Sequence, residues 1–199
     1  MKINLQKDRS KFYTQTNNEL DPYSACQVTA MIMGLDIAGF ELSPITRLQC
    51  LYEQPEDKLR NFILADPEVL NFCERSHPEA KIPPPEWADV MCFAINKLYG
   101  KNTVFYHQPL TISTINTDLQ NGLPIYTSMQ YPNNKNFTGA LSPILGHIVL
   151  IVGMDDENIY INDPYKNHLT GGKDGFNNKY SIEDFTAHNK GYAIRYIKG

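Results

Sequence analysis

The chain has 199 residues, 42% hydrophobic and 20% charged, enough to bury a core without disulfide or metal staples. Eighteen Lys and Arg stand against 22 Asp and Glu, a formal net charge of −4, which leaves no electrostatic footprint for nucleic acid. The greasiest run, Ile144–Met154, is 11 residues long and too short to span a bilayer. The start, MKINLQKDRSKFY, lacks the apolar core and small-residue cleavage site of a secretory signal. The expectation is therefore a soluble monomer with no membrane insertion and no nucleic-acid partner, cytoplasmic until something else releases it.

Residues 1–25 are polar and rich in turn formers, ending in Asp21-Pro22-Tyr23-Ser24. Val28, Met31, Ile32, Leu35 and Gly39 then recur at helical spacing. That predicts a first helix with Ser24 as its N-cap and Gly39 at its end. Residues 41–100 read as helical. Glu56–Ala65 and Pro67–Ser76 are two short helices, with Asp66 capping the second. Pro83-Pro84-Pro85 is a rigid break, followed by an amphipathic helix over Pro85–Tyr99 that Gly100 stops.

Past residue 100 the pattern changes. Strands are expected at Thr103–Tyr106, Leu123–Met129, His147–Gly153, Ile159–Asn162 and Gly191–Ile197. Short helices are expected at Ser113–Gln120 and Ser181–His188. Two long loops, 130–146 and 163–179, complete the half. Helices collected before residue 100 and antiparallel strands after it are the signature of an α+β fold. The reading is one domain, 1–199, with a mainly helical lobe over 1–100 and a sheet lobe over 101–199.

Four cysteines, at 26, 50, 73 and 92, form no CxxC pair and no disulfide framework. Cys50, Cys73 and Cys92 read as small buried hydrophobes. Cys26 differs because it falls in the first turn of the first long helix. The positive end of a helix dipole favours a thiolate there, and the thiolate is the nucleophile. The plain alternative is a buried thiol at a helix start.

His147 opens an apolar strand after a long loop, where an imidazole can reach both solvent and substrate; a structural histidine at a strand end is the competing reading. Asp163 follows the next strand in YINDPY, where it is either a turn former or the carboxylate that holds the imidazole. Simple hairpin counting does not set Asp163 opposite His147, so sheet twist or a bulge must make up the difference. Asn162 should point to the other face. Acyl transfer also needs oxyanion donors. The backbone N–H of Cys26 is one. Gln15, eleven residues earlier, is the candidate for the other, with Gln27 and Asn17 as competitors. His77, His107, His168 and His188 share no metal-ligand spacing, and Asp155, Asp156, Asp163 and Asp174 match no calcium loop. The expected site holds no metal and no cofactor.

Three segments together resemble papain-like cysteine peptidases of the bacteriocin-processing, double-glycine-leader type. They are YTQTNNELDPYSACQVTAMIMGL, TISTINTDLQNGLPIYTSM and GHIVLIVGMDDENIYINDPY. The likeness covers about 15–40 and 110–199; residues 41–109 match nothing in it and read as an insertion or a diverged lobe. It implies a papain-like fold with Cys26 as nucleophile, His147 as base, Asp163 as orienting residue and Gln15 as oxyanion donor. Many members carry Gly after the cysteine, where Gln27 stands here. NDPYKNHLTGG and KYSIEDF are similar to the tail of stand-alone phage and prophage lysins. That likeness implies an endolysin acting on peptidoglycan peptides. The alternatives are a cysteine peptidase acting on a protein or leader peptide, and a papain-like fold kept as an inert binding module.

Overall fold

The computed structural model describes residues 2–6, 8–81, 84, 87–130, 146–166, 172 and 174–198. A two-residue strand, β1 (Ile3–Asn4), comes first, then a 3-10 turn at Gln15–Asn17. Five helices follow: α1 (Cys26–Ile37), α2 (Ser43–Thr46), α3 (Pro55–Ala65), α4 (Pro67–Ser76) and α5 (Ala88–Tyr99). The second half runs β2 (Val104–His107), α6 (Ile112–Gln120), β3 (Ile125–Met129), β4 (His147–Met154), β5 (Asn158–Asn162), β6 (Asn178–Ser181), α7 (Ile182–His188) and β7 (Asn189–Tyr196).

Local chemistry explains most boundaries. Asp66 accepts from the N–H groups of Glu68 and Val69 and caps α4, whose first residue is Pro67. Ser181 does the same for α7 through the Asp184 N–H. Gly100, at φ 63, ends α5 in the left-handed conformation. The expected cap of α1 is corrected. Ala25 occupies that position, with no side-chain cap, because Ser24 turns its hydroxyl and N–H to Asp21. β1, β6 and α2 went unforeseen, since two to four residues are too few to establish a period. Of the expected loops, 131–145 and 167–171 lie outside the described residues, as do Pro83 and Pro85.

The strands form one antiparallel sheet in the order β2-β7-β3-β4-β5-β6, with β1 added beside β4. Helices cover both faces. Ile148, Leu150 and Val152 of β4 pack with α1, α3, α4 and α5, whereas Val149 and Ile151 pack with Ile115 and Leu119 of α6 and Phe185 of α7. A strand buried on both faces has no polar side to show, which is why β4 reads as a continuous apolar run.

α1 lies at the centre of the larger core. Every residue from Cys26 to Leu35 is buried, so the one-sided apolar stripe expected of it is replaced by burial all round. Gly34 permits this. A Cβ there would stand 1.8 Å from the Tyr196 hydroxyl oxygen of β7.

Glu56, in the first turn of α3, is 1% exposed, and among the described residues no donor from another residue reaches either carboxylate oxygen. Burial raises its pKa to about 7, with the Asp57 carboxylate adding to the effect and the Glu56 backbone N–H opposing it. A carboxyl with a folded pKa above its unfolded one stabilises the fold only while protonated. Its contribution is whole below the unfolded value of 4.5 and is lost as pH rises through about 7. Glu56→Gln should therefore narrow the difference in urea midpoint between pH 5 and pH 8, recovering roughly 3 kcal/mol at the higher pH. An unchanged difference between the two midpoints would show that Glu56 ionises without cost.

Candidate active site

Asp163 follows the last residue of β5, and its carboxylate is fixed from several sides. Its Oδ1 accepts from His147 Nε2 at 2.7 Å and from the backbone N–H groups of Tyr165 and Lys166 at 2.9 and 3.2 Å. Its own N–H donates to the Gly175 carbonyl at 2.8 Å. Gly175 must be glycine for that approach, because a Cβ would stand 1.9 Å from the Asp163 carbonyl oxygen. His147 is 2% exposed and Asp163 fully buried, so the pair is shielded from solvent.

A bulge brings the two together. Near the β4–β5 turn the register pairs Gly153 with Tyr160, but past the irregularity at Val152 it pairs Ile151 with Ile161 and Leu150 with Asn162. One residue is taken up on β4, so every later residue of β5 changes its parity relative to β4. Continued by one step, this register sets Asp163 across from Val149, two residues from His147 and on the same side of the pleat. Asn162 takes the opposite side, where it meets Met33 of α1 and Gln6.

Cys26 opens α1 and is buried. Its Sγ–H donates to Gln27 Oε1 at 3.2 Å. Cys26 also acts on the imidazole. Burial lowers the His147 pKa, but the charge and hydrogen bond of Asp163, followed by those of Cys26, outweigh burial and raise it to about 10. Asp163 occupies Nε2, so Nδ1 is the ring nitrogen left to face a thiol. The other thiols have different surroundings. Burial, with Asp89 beside it, pushes Cys92 up to about 12, and burial raises Cys73 as well. Cys50 is half-buried and donates to the Tyr52 carbonyl.

Gln15 is fully buried and belongs to the same assembly. Its N–H donates to the Pro164 carbonyl, next to Asp163, and its Nε2 donates to the Pro22 carbonyl at 2.9 Å, four residues before Cys26. Asn17 is exposed, and Gln27 offers Cys26 an acceptor rather than a donor. Four segments far apart in sequence thus bring a thiol, an imidazole and a carboxylate into one region. Such a set can form a nucleophilic thiolate and return a proton to a leaving group.

The model of the Peptidase_C39 like family matches residues 8–190 of this chain. The chain belongs to that family. As a C39-like chain it has a solved counterpart in fold, a crystal structure of a protein assigned as a C39-like peptidase from Bacillus anthracis. The TM-score is 0.57 at 19% identity, over 100% of this chain and 98% of that one. No curated protein matches significantly. The C39-like match runs through 41–109, the stretch in which residue reading found no likeness. Membership indicates a cysteine peptidase with a peptide substrate. Among the described residues no helix is long and apolar enough to cross a membrane, and no cluster of His, Cys, Asp or Glu is placed to hold a metal ion.

Sequence reasoning missed Asp57 and Arg60 of α3, which grip the chain just ahead of Cys26. Nothing in their local pattern distinguishes them from a solvated helix face. For His147 the sign of the effect is clear. A histidine with a raised pKa contributes stability that is whole below the unfolded value of 6.5 and is lost as pH rises through about 10. Imidazole 15N shifts should show His147 still protonated at pH 8, and Asp163→Asn should lower its pKa by more than about one unit. A neutral His147 at pH 7 would contradict this electrostatic account.

Proposed function

We propose that this C39-like chain hydrolyses peptide bonds through a Cys26 thioester, with His147 as acid and base, Asp163 as orienting carboxylate and Gln15 as oxyanion donor. The 2.7 Å bond between His147 Nε2 and Asp163 carries the proposal. It holds the ring by Nε2, which leaves Nδ1 for the thiol, and it favours the imidazolium that a thiolate needs beside it.

The steps follow from that arrangement. The Cys26 thiolate, at the positive end of α1, attacks the carbonyl carbon and forms a C–S bond. The carbonyl oxygen takes the charge and is met by the Cys26 backbone N–H and the second N–H of the Gln15 amide, whose first is held by Pro22. The C–N bond breaks as His147 gives its proton to the departing amine. Water then attacks the thioester with His147 taking its proton, the C–S bond breaks, and the thiolate returns.

The substrate class we propose is the peptide portion of peptidoglycan. The support is the likeness of the 162–172 and 179–185 segments to stand-alone lysins. Purified protein should release new amino groups from sacculi of one or more bacterial hosts. Cys26→Ala should release none, and Gln15→Ala should be slower by about a hundredfold with its fold intact. Cleavage of a protein or leader peptide with every sacculus left whole would keep the cysteine chemistry and reject the lysin assignment.

A further inference from the structure

We infer that Asp57 and Arg60 of α3 are positioning residues for the Cys26 nucleophile, a role that rests on the peptidase reading above. The chain between Gln15 and Cys26 contains only one turn of 3-10 helix, so its own backbone does little to fix the distance between these two groups. The fixing comes from outside. Asp57 is fully buried and accepts two successive backbone N–H groups, from Glu19 at 2.8 Å and Leu20 at 3.1 Å. Arg60, 5% exposed, donates Nη1–H to the Ser24 carbonyl and Nη2–H to Asp21 Oδ2, both at 3.2 Å. Asp21 in turn holds the Ser24 N–H and hydroxyl.

The two side chains are three positions apart, hence on one face of α3, and they grip the 19–24 loop at both ends. Ser24 lies two residues before the thiol. The middle of the loop is tied to the oxyanion side, since the Pro22 carbonyl accepts from Gln15 Nε2. A surface loop would not require this. Burying a carboxylate and a guanidinium carries a large desolvation penalty, offset only when each has well-placed partners, as both have here. An error of about 1 Å at the thiol is enough to disturb its pairing with the imidazole. The clamp thus gives part of 41–109 a function: it sets where α1 begins.

The test reads the thiol itself, using the full chain and iodoacetamide as probe. The rate of Cys26 carboxamidomethylation is followed from pH 4 to 9 by peptide mass spectrometry, for wild type, Arg60→Ala, Arg60→Lys and Asp57→Asn. Hydrogen exchange in β4 and β5 checks that each variant is folded. Wild-type Cys26 should react rapidly at acidic pH. Arg60→Ala and Asp57→Asn should react at least about tenfold more slowly at pH 6. Arg60→Lys keeps a donor for the Ser24 carbonyl and should recover part of the loss.

Variants that lower the melting temperature yet keep the wild-type pH profile would make the clamp purely structural and overturn the inference alone. A wild-type Cys26 with no acidic limb would overturn the peptidase reading, and the positioning role with it. Should Arg60→Ala fail to fold, the folded Arg60→Lys and Asp57→Asn decide the matter by the same profile.

Discussion

The hydrogen bond between His147 Nε2 and Asp163 Oδ1 joins two buried side chains, and most of the surrounding architecture serves that burial. A buried carboxylate is tolerated only where donors satisfy it, and Asp163 has an imidazole and two backbone N–H groups on one oxygen. Its backbone is held in turn by Gly175, and the next carbonyl, of Pro164, accepts from Gln15 and Thr14. The constraint spreads outward from one acid. The second long loop, the 3-10 turn and the end of β5 are fastened together because each carries a partner for Asp163 or for its neighbour.

The sheet meets this requirement by an irregularity. Had β4 and β5 paired regularly, Asn162 would have shared the parity of His147, and Asp163 would have faced α1. The bulge between Ile151 and Gly153 exchanges these roles. Asn162 consequently serves the core side, where its amide reaches Met33 and its carbonyl oxygen accepts from the Asn177 N–H. The same stretch of β4 receives β1, whose Asn4 pairs with Gly153. A Cβ at Gly153 would lie 2.5 Å from the Ile3 carbonyl oxygen, so bulge and added strand share one close approach.

Much of this was legible in the sequence where a signal repeats. The α+β class, the helices near 55–76 and 88–99, and β3, β4, β5 and β7 follow from periodicity, proline and glycine. Cys26, His147 and Asp163 could be singled out because each sits at the start or end of an element, where a side chain escapes the pattern. What could not be read has a common cause. The burial of Glu56, Asp57 and Arg60 depends on α3 lying against the loop ahead of α1, and charged letters at helical spacing look solvated until that partner is known. The cap of α1 failed similarly, since Ser24 had a competitor in Asp21 that only the folded turn supplies. The bulge leaves no mark in HIVLIVGM beyond a glycine.

The distances along the chain have a kinetic meaning. Cys26 and His147 are separated by 121 residues, and β1 joins β4 across a comparable length, Ile3 to Met154. Contacts of such range form only after large loops have closed, so folds that depend on them are slow to complete. Neither α1 nor β4 supplies the other's group by local contacts, so no short segment of the chain holds both Cys26 and His147. The thiol and the imidazole can therefore come together only once β4, an interior strand of the sheet, has been set between β3 and β5.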